Sequence, residues 1–143
     1  MLIKQISVFL ENKSGRLAEV TRILGQNNID ISALSIADTT DFGILRLIVN
    51  NPDMAEKVLR ENEFTVSSTE VIGISVEDKP GGLSKALSVL EKSEIGIEYM
   101  YAFVGKCTDE ALVIIRVDDS ENAIDVLKKN GIKVLSAENV YKL

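Results

Sequence analysis

Ile6, Val8 and Leu10 alternate with Gln5 and Ser7, the two-residue period of a half-buried strand. Leu17, Val20, Thr21 and Leu24 then fall at helical spacing, and Asn27-Asn28 stops the helix. Ile29 to Ile36 reads as a second strand. Thr39-Thr40-Asp41 turns into a third, Gly43 to Val49, which is apolar at nearly every position and rich in β-branched residues. Pro52 suits the first turn of a helix, where its missing N–H has no partner to lose, and that helix buries Ala55, Val58 and Leu59. Phe64 to Thr69 closes the series as a fourth strand. The order is βαββαβ, the split βαβ arrangement of ferredoxin-like folds.

The pattern then repeats. Asn12-Lys13-Ser14-Gly15-Arg16-Leu17 resembles Asp78-Lys79-Pro80-Gly81-Gly82-Leu83, and at the same offset Leu24 falls on Leu90, Ile29 on Ile95 and Ile31 on Ile97. A two-residue insertion shifts the register once. After it Val49 pairs with Val117, Ala55 with Ala123, Val58-Leu59 with Val126-Leu127, and Asn62 with Asn130. Chance identity does not hold register through helices and strands alike, so the chain is an internal duplication. Residues 1–69 are expected to form one domain and 70–143 a second. Each has about 70 residues, enough for such a unit but with little core to spare. Ser67 to Glu77 has no Pro and no polar tract, so it is not a flexible linker, and the domains are expected to be rigidly coupled. Helices cover only one face of each sheet, yet strands such as Ile44 to Val49 are apolar on both. The second face predicts contact between the copies or with another chain.

Composition narrows the chemistry. The 143 residues contain no His and a single cysteine, Cys107. Histidine-based nucleophile activation, histidine-ligated zinc and an internal disulfide framework are therefore excluded. Iron–sulfur and copper-chaperone versions of the fold need more thiols. The net charge is -6 with 5% aromatic residues, which argues against nucleic acid, since a basic surface with stacking aromatics is missing. No run approaches the ~20 apolar residues of a membrane span. Met1-Leu2-Ile3-Lys4 leads directly into a strand pattern without the parts of a signal peptide, so a cytoplasmic protein is expected.

The chemically suggestive feature is the turn from first strand to first helix, present twice. Gly15 and Gly81 permit a backbone that a Cβ disfavours. Beyond them the first helical N–H groups lack intrahelical partners and sit at the positive end of the dipole, a seat for a carboxylate. Asn12 and Asp78 are placed to accept from an ammonium, and together these groups suit a zwitterion. A purely structural turn is the competing account, with Ser14 as N-cap, Pro80 as turn former and Asp78 favouring the dipole.

The turn Asp78-Lys79-Pro80-Gly81-Gly82-Leu83, placed after a strand and opening a helix, and the Ile95-Gly96-Ile97-Glu98 segment after that helix resemble the ACT domain. With two copies across the chain, the sequence is similar to small tandem ACT proteins. The resemblance implies an α+β fold of two ferredoxin-like βαββαβ units, packed as a pseudo-symmetric pair with antiparallel sheets. It implies a non-catalytic regulatory protein that binds a small amino acid at an interface between ACT units, without cofactor or metal. It also implies a homodimer joined through its sheets, and a regulated enzyme as a further partner. Typical contacts come from the strand–helix turn of one unit and the second strand of its neighbour. Carried over, the turn residues are Asn12, Ser14, Gly15, Arg16 and Leu17, or Asp78, Pro80, Gly81, Gly82 and Leu83. The strand residues include Ser32 and Leu34, or Tyr99 and Tyr101. The first turn departs from the family pattern, with Asn12 in place of the acid and Ser14 in place of the proline. The second strands differ too, small residues against aromatics, so the two sites need not be equivalent. Arg46 in mid-strand could grip a carboxylate and Phe42 after the hairpin could wall a pocket, though an ion pair with Asp41 or another acid and a buried hairpin anchor are the simpler accounts. An assembly module with no ligand is the alternative reading of the whole chain.

Overall fold

The computed structural model describes residues 2–11, 14–38, 42–105 and 109–143. Asn12, the turn Thr39-Thr40-Asp41 and Cys107 with its neighbour Lys106 lie outside them. Every stretch of hydrophobic periodicity becomes an element. These are β1 (Ile3–Glu11), α1 (Arg16–Gln26), β2 (Ile31–Asp38), β3 (Phe42–Val49), α2 (Pro52–Glu61) and β4 (Thr65–Glu77). They are followed by α3 (Gly82–Lys92), β5 (Ile97–Ala102), β6 (Glu110–Val117), α4 (Ser120–Lys129), β7 (Lys133–Val134) and α5 (Ala137–Tyr141).

Two units result. The first holds Lys4–Thr69 with Tyr141–Leu143, and the second holds Glu70–Val140 with Leu2 and Ile3. In the first, β3 pairs antiparallel with β1 (Ile6 opposite Leu47, Val8 opposite Leu45) and with β2 (Leu34 opposite Leu47). In the second, β4 pairs antiparallel with β6 (Ile72 opposite Ile115) and with β7 (Ile74 opposite Val134), while β6 pairs with β5. Each unit is thus a βαββαβ fold with an antiparallel sheet. The strand β4 serves both, because Thr65–Thr69 closes the first unit and Glu70–Glu77 opens the second.

Each sheet packs one face on its own helix pair. In the first unit Ile6, Val8 and Leu10 meet Val20, Ile23 and Leu24 of α1 and Ala55, Val58 and Leu59 of α2. In the second, Ile72, Ile74 and Val76 meet Ala86 and Leu90 of α3 and Ala123 and Leu127 of α4. The helix faces shift slightly from the sequence expectation. Leu17 and Thr21 are exposed, and Ile23 takes the buried place. The reason is that α1 starts at Arg16, so Leu17 lies in the first turn, ahead of the stripe that reaches the sheet. Leu83 is displaced in the same way. Gln5 and Ser7 are buried as well, so the first part of β1 is covered on both faces, while Phe9 and Glu11 beyond it are exposed. The chain also carries an addition to the repeat. Its last strand is only Lys133–Val134, after which Ser136 accepts from the Asn139 N–H at 3.2 Å and starts the short helix α5.

Candidate functional site

The two strand–helix turns have the same backbone. Gly15 has φ 88 and ψ -8, Gly81 has φ 88 and ψ -10, and each is the N-cap of its helix. Ser14 is therefore not the cap of α1. An L-residue in this left-handed conformation costs roughly 1–2 kcal/mol, which explains a glycine at both places. Among the described residues, neither helix has a side chain capping its first turn. The contrast with the other two long helices is direct. Asn51 accepts from the Met54 N–H of α2 and Asp119 from the Asn122 N–H of α4, each at 3.2 Å. The starts of α1 and α3 have no such side-chain acceptor, and at α3 the Gly82 N–H donates to the Lys79 carbonyl at 3.0 Å.

Next to each turn, within its own unit, lies a cleft, and the two linings share part of the duplication's positions, among them Phe9 with Ser75, Arg16 with Gly82 and Phe64 with Ile132. In the second unit the lining is Ser75, Val76, Glu77, Lys79, Pro80, Gly81, Gly82 and Lys85, with Gly131 and Ile132, around about 250 Å³. Ser75 is buried, and its hydroxyl has no hydrogen-bond partner among the described residues. Leaving a buried hydroxyl unpartnered costs on the order of 1–3 kcal/mol. Gly82 is required by space, since a Cβ there would run into the Glu77 carbonyl oxygen. Lys79 reaches back to Glu77 at 2.6 Å. The hydrogen bond from the Lys79 ammonium holds the Glu77 carboxyl below the usual carboxylate range, and the same bond raises the Lys79 ammonium.

The first-unit cleft, of about 370 Å³, is built differently: Phe9, Leu10, Glu11, Arg16, Phe42, Glu63, Phe64 and Thr65 line it. Arg16 stands where the second unit has Gly82, and Phe9 where it has Ser75. The Arg16 guanidinium carbon lies 4.7 Å from the centre of the Phe64 ring. Its Nη1 donates to Glu19 at 3.0 Å, and Glu11 is 3.9 Å from Nη2. The buried Nε has no acceptor among the described residues.

Of the residues expected from sequence, Pro80, Gly81 and Gly82 line the second cleft and Arg16 lines the first. Ser14, Gly15 and Leu17 lie at the surface of the first turn, and Asp78 and Leu83 at that of the second. None of those five lines either cleft. Ser32 is buried in β2 with a hydroxyl unpartnered among the described residues, while Leu34 is exposed on the same strand. Tyr99 and Tyr101 are half-buried on β5, opposite Arg116 and Ile114. These four strand residues line neither cleft. A register shift recurs at equivalent places in β2 (Ile31/Ala33) and β5 (Ile97/Tyr99). Phe42 is exposed and lines the first cleft, so it is not a buried hairpin anchor. Arg116 pairs with Glu98 at 3.3 Å and donates to the Glu70 carbonyl at 2.8 Å, a structural role.

Sequence reasoning missed Ser75, Lys85, Phe9, Glu63 and Phe64. A signal for Phe9 existed: it falls in the polar phase of β1, in step with Gln5 and Ser7, where an aromatic ring is out of place.

The family model described as an ACT domain pair matches residues 1–143. No curated protein matches the chain. Among solved structures, protein BT0572 from Bacteroides thetaiotaomicron is 48% identical, covering 100% of this chain and 98% of its own, with a TM-score of 0.94. The ligand-free regulatory subunit of aspartate kinase from Thermus thermophilus is 15% identical over 90% of this chain and 91% of its own, with a TM-score of 0.64. The corresponding subunit from Thermus flavus is 17% identical over 89% of each chain, at 0.59. Those two likenesses are of fold. Among the described residues no helix is long and apolar enough to cross a membrane.

Proposed function

The chain belongs to the family of ACT domain pairs, and on that premise we propose that it is a non-catalytic regulatory protein whose ligand is a small amino acid. The carrying observation is the second-unit cleft. There the start of α3, with no side-chain cap, and the left-handed Gly81 open on about 250 Å³, with Lys85 beside them. The positive end of α3 and the Lys85 ammonium suit a carboxylate. The small volume favours a short side chain. Likeness in fold to regulatory subunits of aspartate kinase agrees with a role in controlling an enzyme. The absence of His from the sequence removes the commonest acid–base group and supports the non-catalytic reading. We further propose that the protein works as a homodimer, in the cytoplasm.

The test is a thermal-shift screen of the protein against the twenty amino acids, followed by calorimetry on any hit. A ligand that binds only the native state adds about 2.7 kcal/mol at a hundredfold excess over its Kd, a readily measured rise in melting temperature. One small amino acid is expected to raise it, and Lys85→Met to weaken that ligand about tenfold, the worth of one hydrogen bond to a charged group. No response to any of the twenty at millimolar concentration sinks the proposal. The assembly module, favoured by the exposed Leu34 and Ile36 on β2, then takes first place.

A further inference from the structure

The ion pairs that tie β1 to α2 in the first unit have no equivalent in the second, where a hollow stands at the same place. In the first unit the Lys4 ammonium lies 2.7 Å from Asp53 and 3.1 Å from Glu56, and Glu56 also holds Arg60 at 2.8 Å. Those four positions of the repeat correspond to Glu70, Glu121, Ile124 and Lys128. Matching landmarks fix the register. Ile6 and Ile72 sit in the two cores, and Asn51 and Asp119 cap α2 and α4 in the same way. All four counterparts, together with Leu2, line an open hollow of about 540 Å³ within the second unit.

Two replacements open it. Glu70 puts an acid where Lys4 carries the cation that spans strand and helix, and Ile124 removes the carboxylate that holds Arg60. Glu70, Glu121 and Lys128 are exposed, and none of them has an ion pair among the described residues. Lys128 does not fill the place of the lost cation, since it lies seven residues from Glu121 on α4, about 10 Å along the axis. Nor does Arg116, which alternates with Ile115 and Val117 of the core and so leaves the sheet on the other face. Its guanidinium is taken by the Glu70 carbonyl at 2.8 Å and by Glu98 at 3.3 Å. Glu121 in the first turn and Lys128 in the last suit the dipole of α4, which is reason enough for both. Glu70 has no such account. It is a strand residue on the face of Ile72 and Ile74, and it lines the same hollow as a second acid.

The first unit shows what this geometry holds, an ammonium between the strand and the start of the helix. The second unit supplies the acids and adds an apolar floor, because Leu2 and Ile124 are partly buried against its core. An alkyl stem ending in a cation matches that combination. The hollow is shallow and its charged residues are exposed, whereas a free small molecule is normally enclosed over roughly 70–90% of its surface. The occupant is therefore one side chain of a larger body that makes its other contacts outside the hollow. The net charge of -6 draws a basic surface toward the chain.

We infer that the second unit docks a partner protein through a lysine side chain, its ammonium between Glu70 and Glu121 and its stem on Leu2 and Ile124. The hollow shares no residue with the cleft at α3, so the inference stands whether or not the chain binds an amino acid.

The experiment is a titration of 15N-labelled full-length protein followed by amide chemical shifts. The probes are the capped pentapeptide Leu-Ala-Lys-Ala-Leu, the same peptide with norleucine in place of its lysine, and calcium chloride. The lysine peptide at millimolar concentration is expected to move the amides of Glu70, Glu121 and Ile124. The norleucine peptide keeps the stem without the charge and should bind about fivefold more weakly, the upper end for an exposed ion pair. Glu121→Gln should weaken the lysine peptide by a similar factor with unchanged circular dichroism. Glu70→Lys, which installs the first unit's residue, should abolish the shifts because its own ammonium takes the place. The inference is overturned if the lysine peptide leaves those amides unmoved, if norleucine binds as well as lysine, or if binding survives Glu70→Lys. Calcium moving the same amides where the lysine peptide does not would also overturn it, in favour of a metal site. Each of those results leaves the amino-acid proposal untouched, because Gly81 and Lys85 lie outside the hollow.

Discussion

Adjacent glycines at the second turn do different jobs, and substitution separates them. A Cβ on Gly81 meets nothing within 4 Å, so Gly81→Ala feels only the left-handed backbone, φ 88. That costs roughly 1–2 kcal/mol. Gly82→Ala drives a methyl into the Glu77 carbonyl oxygen, which is backbone and cannot swing aside. The helix start itself must move. Gly82→Ala is therefore expected to lower the chemical-denaturation midpoint more than Gly81→Ala, and to weaken any ligand of the second cleft. Equal midpoints would refute the steric reading. Much of this was legible in the sequence, since paired glycines after a strand announce a tight turn. What was not legible is which of two neighbouring residues caps the helix. Ser14 has the better propensity, but the left-handed Gly15 takes the place because the chain must reverse there.

Between elements, the link from β1 to α2 carries the clearest charge dependence. The Lys4 ammonium reaches Asp53 at 2.7 Å and Glu56 at 3.1 Å. Hydrogen bonds to Asp53 and then Glu56 raise its pKa above 10.5, against a smaller opposing effect of burial. A cation whose folded pKa is raised contributes stability in full below its unfolded value, and loses it as pH climbs through the folded value. Lys4→Met is thus expected to cost up to about 1 kcal/mol at neutral pH, the scale of a partly exposed ion pair. The gap to wild type should close only above pH 10.5. Denaturant titrations of both proteins at neutral and strongly alkaline pH check it, and a gap that persists at high pH would show a packing effect instead. Hydrophobic period gave no hint of this link, because it depends on which polar residues the fold sets side by side. The helices and strands were readable for the opposite reason: Val20, Ile23 and Leu24, or Ile72, Ile74 and Val76, recur at the spacing that places them on one face. The exception is α5, whose five residues are too few for a period to register.

At the scale of the whole molecule, duplication made the fold legible and also obscured the sites. Matched registers showed that both copies adopt one fold, yet identity between copies draws attention to the shared turn rather than to where the copies differ. The residues that distinguish the clefts, Phe9 against Ser75 and Arg16 against Gly82, are the mismatches of the repeat. The same asymmetry bears on association. Among the described strands β2 pairs only with β3, and it exposes Leu34 at 38% and Ile36 at 44%. A free strand edge with exposed aliphatic side chains invites pairing with another chain unless charge blocks it. A two-fold axis that brings β2 against its own copy makes a closed dimer, because antiparallel pairing of identical strands is self-complementary. Light scattering should then give twice the 15.7 kDa chain mass, and Leu34→Lys with Ile36→Lys should return the monomer. Those side chains are exposed, so the fold should tolerate the change. A monomeric wild type at tens of micromolar would end the homodimer proposal. A dimer that withstands the double substitution would keep it but move the interface away from β2, to a face that the two introduced ammonium groups do not reach.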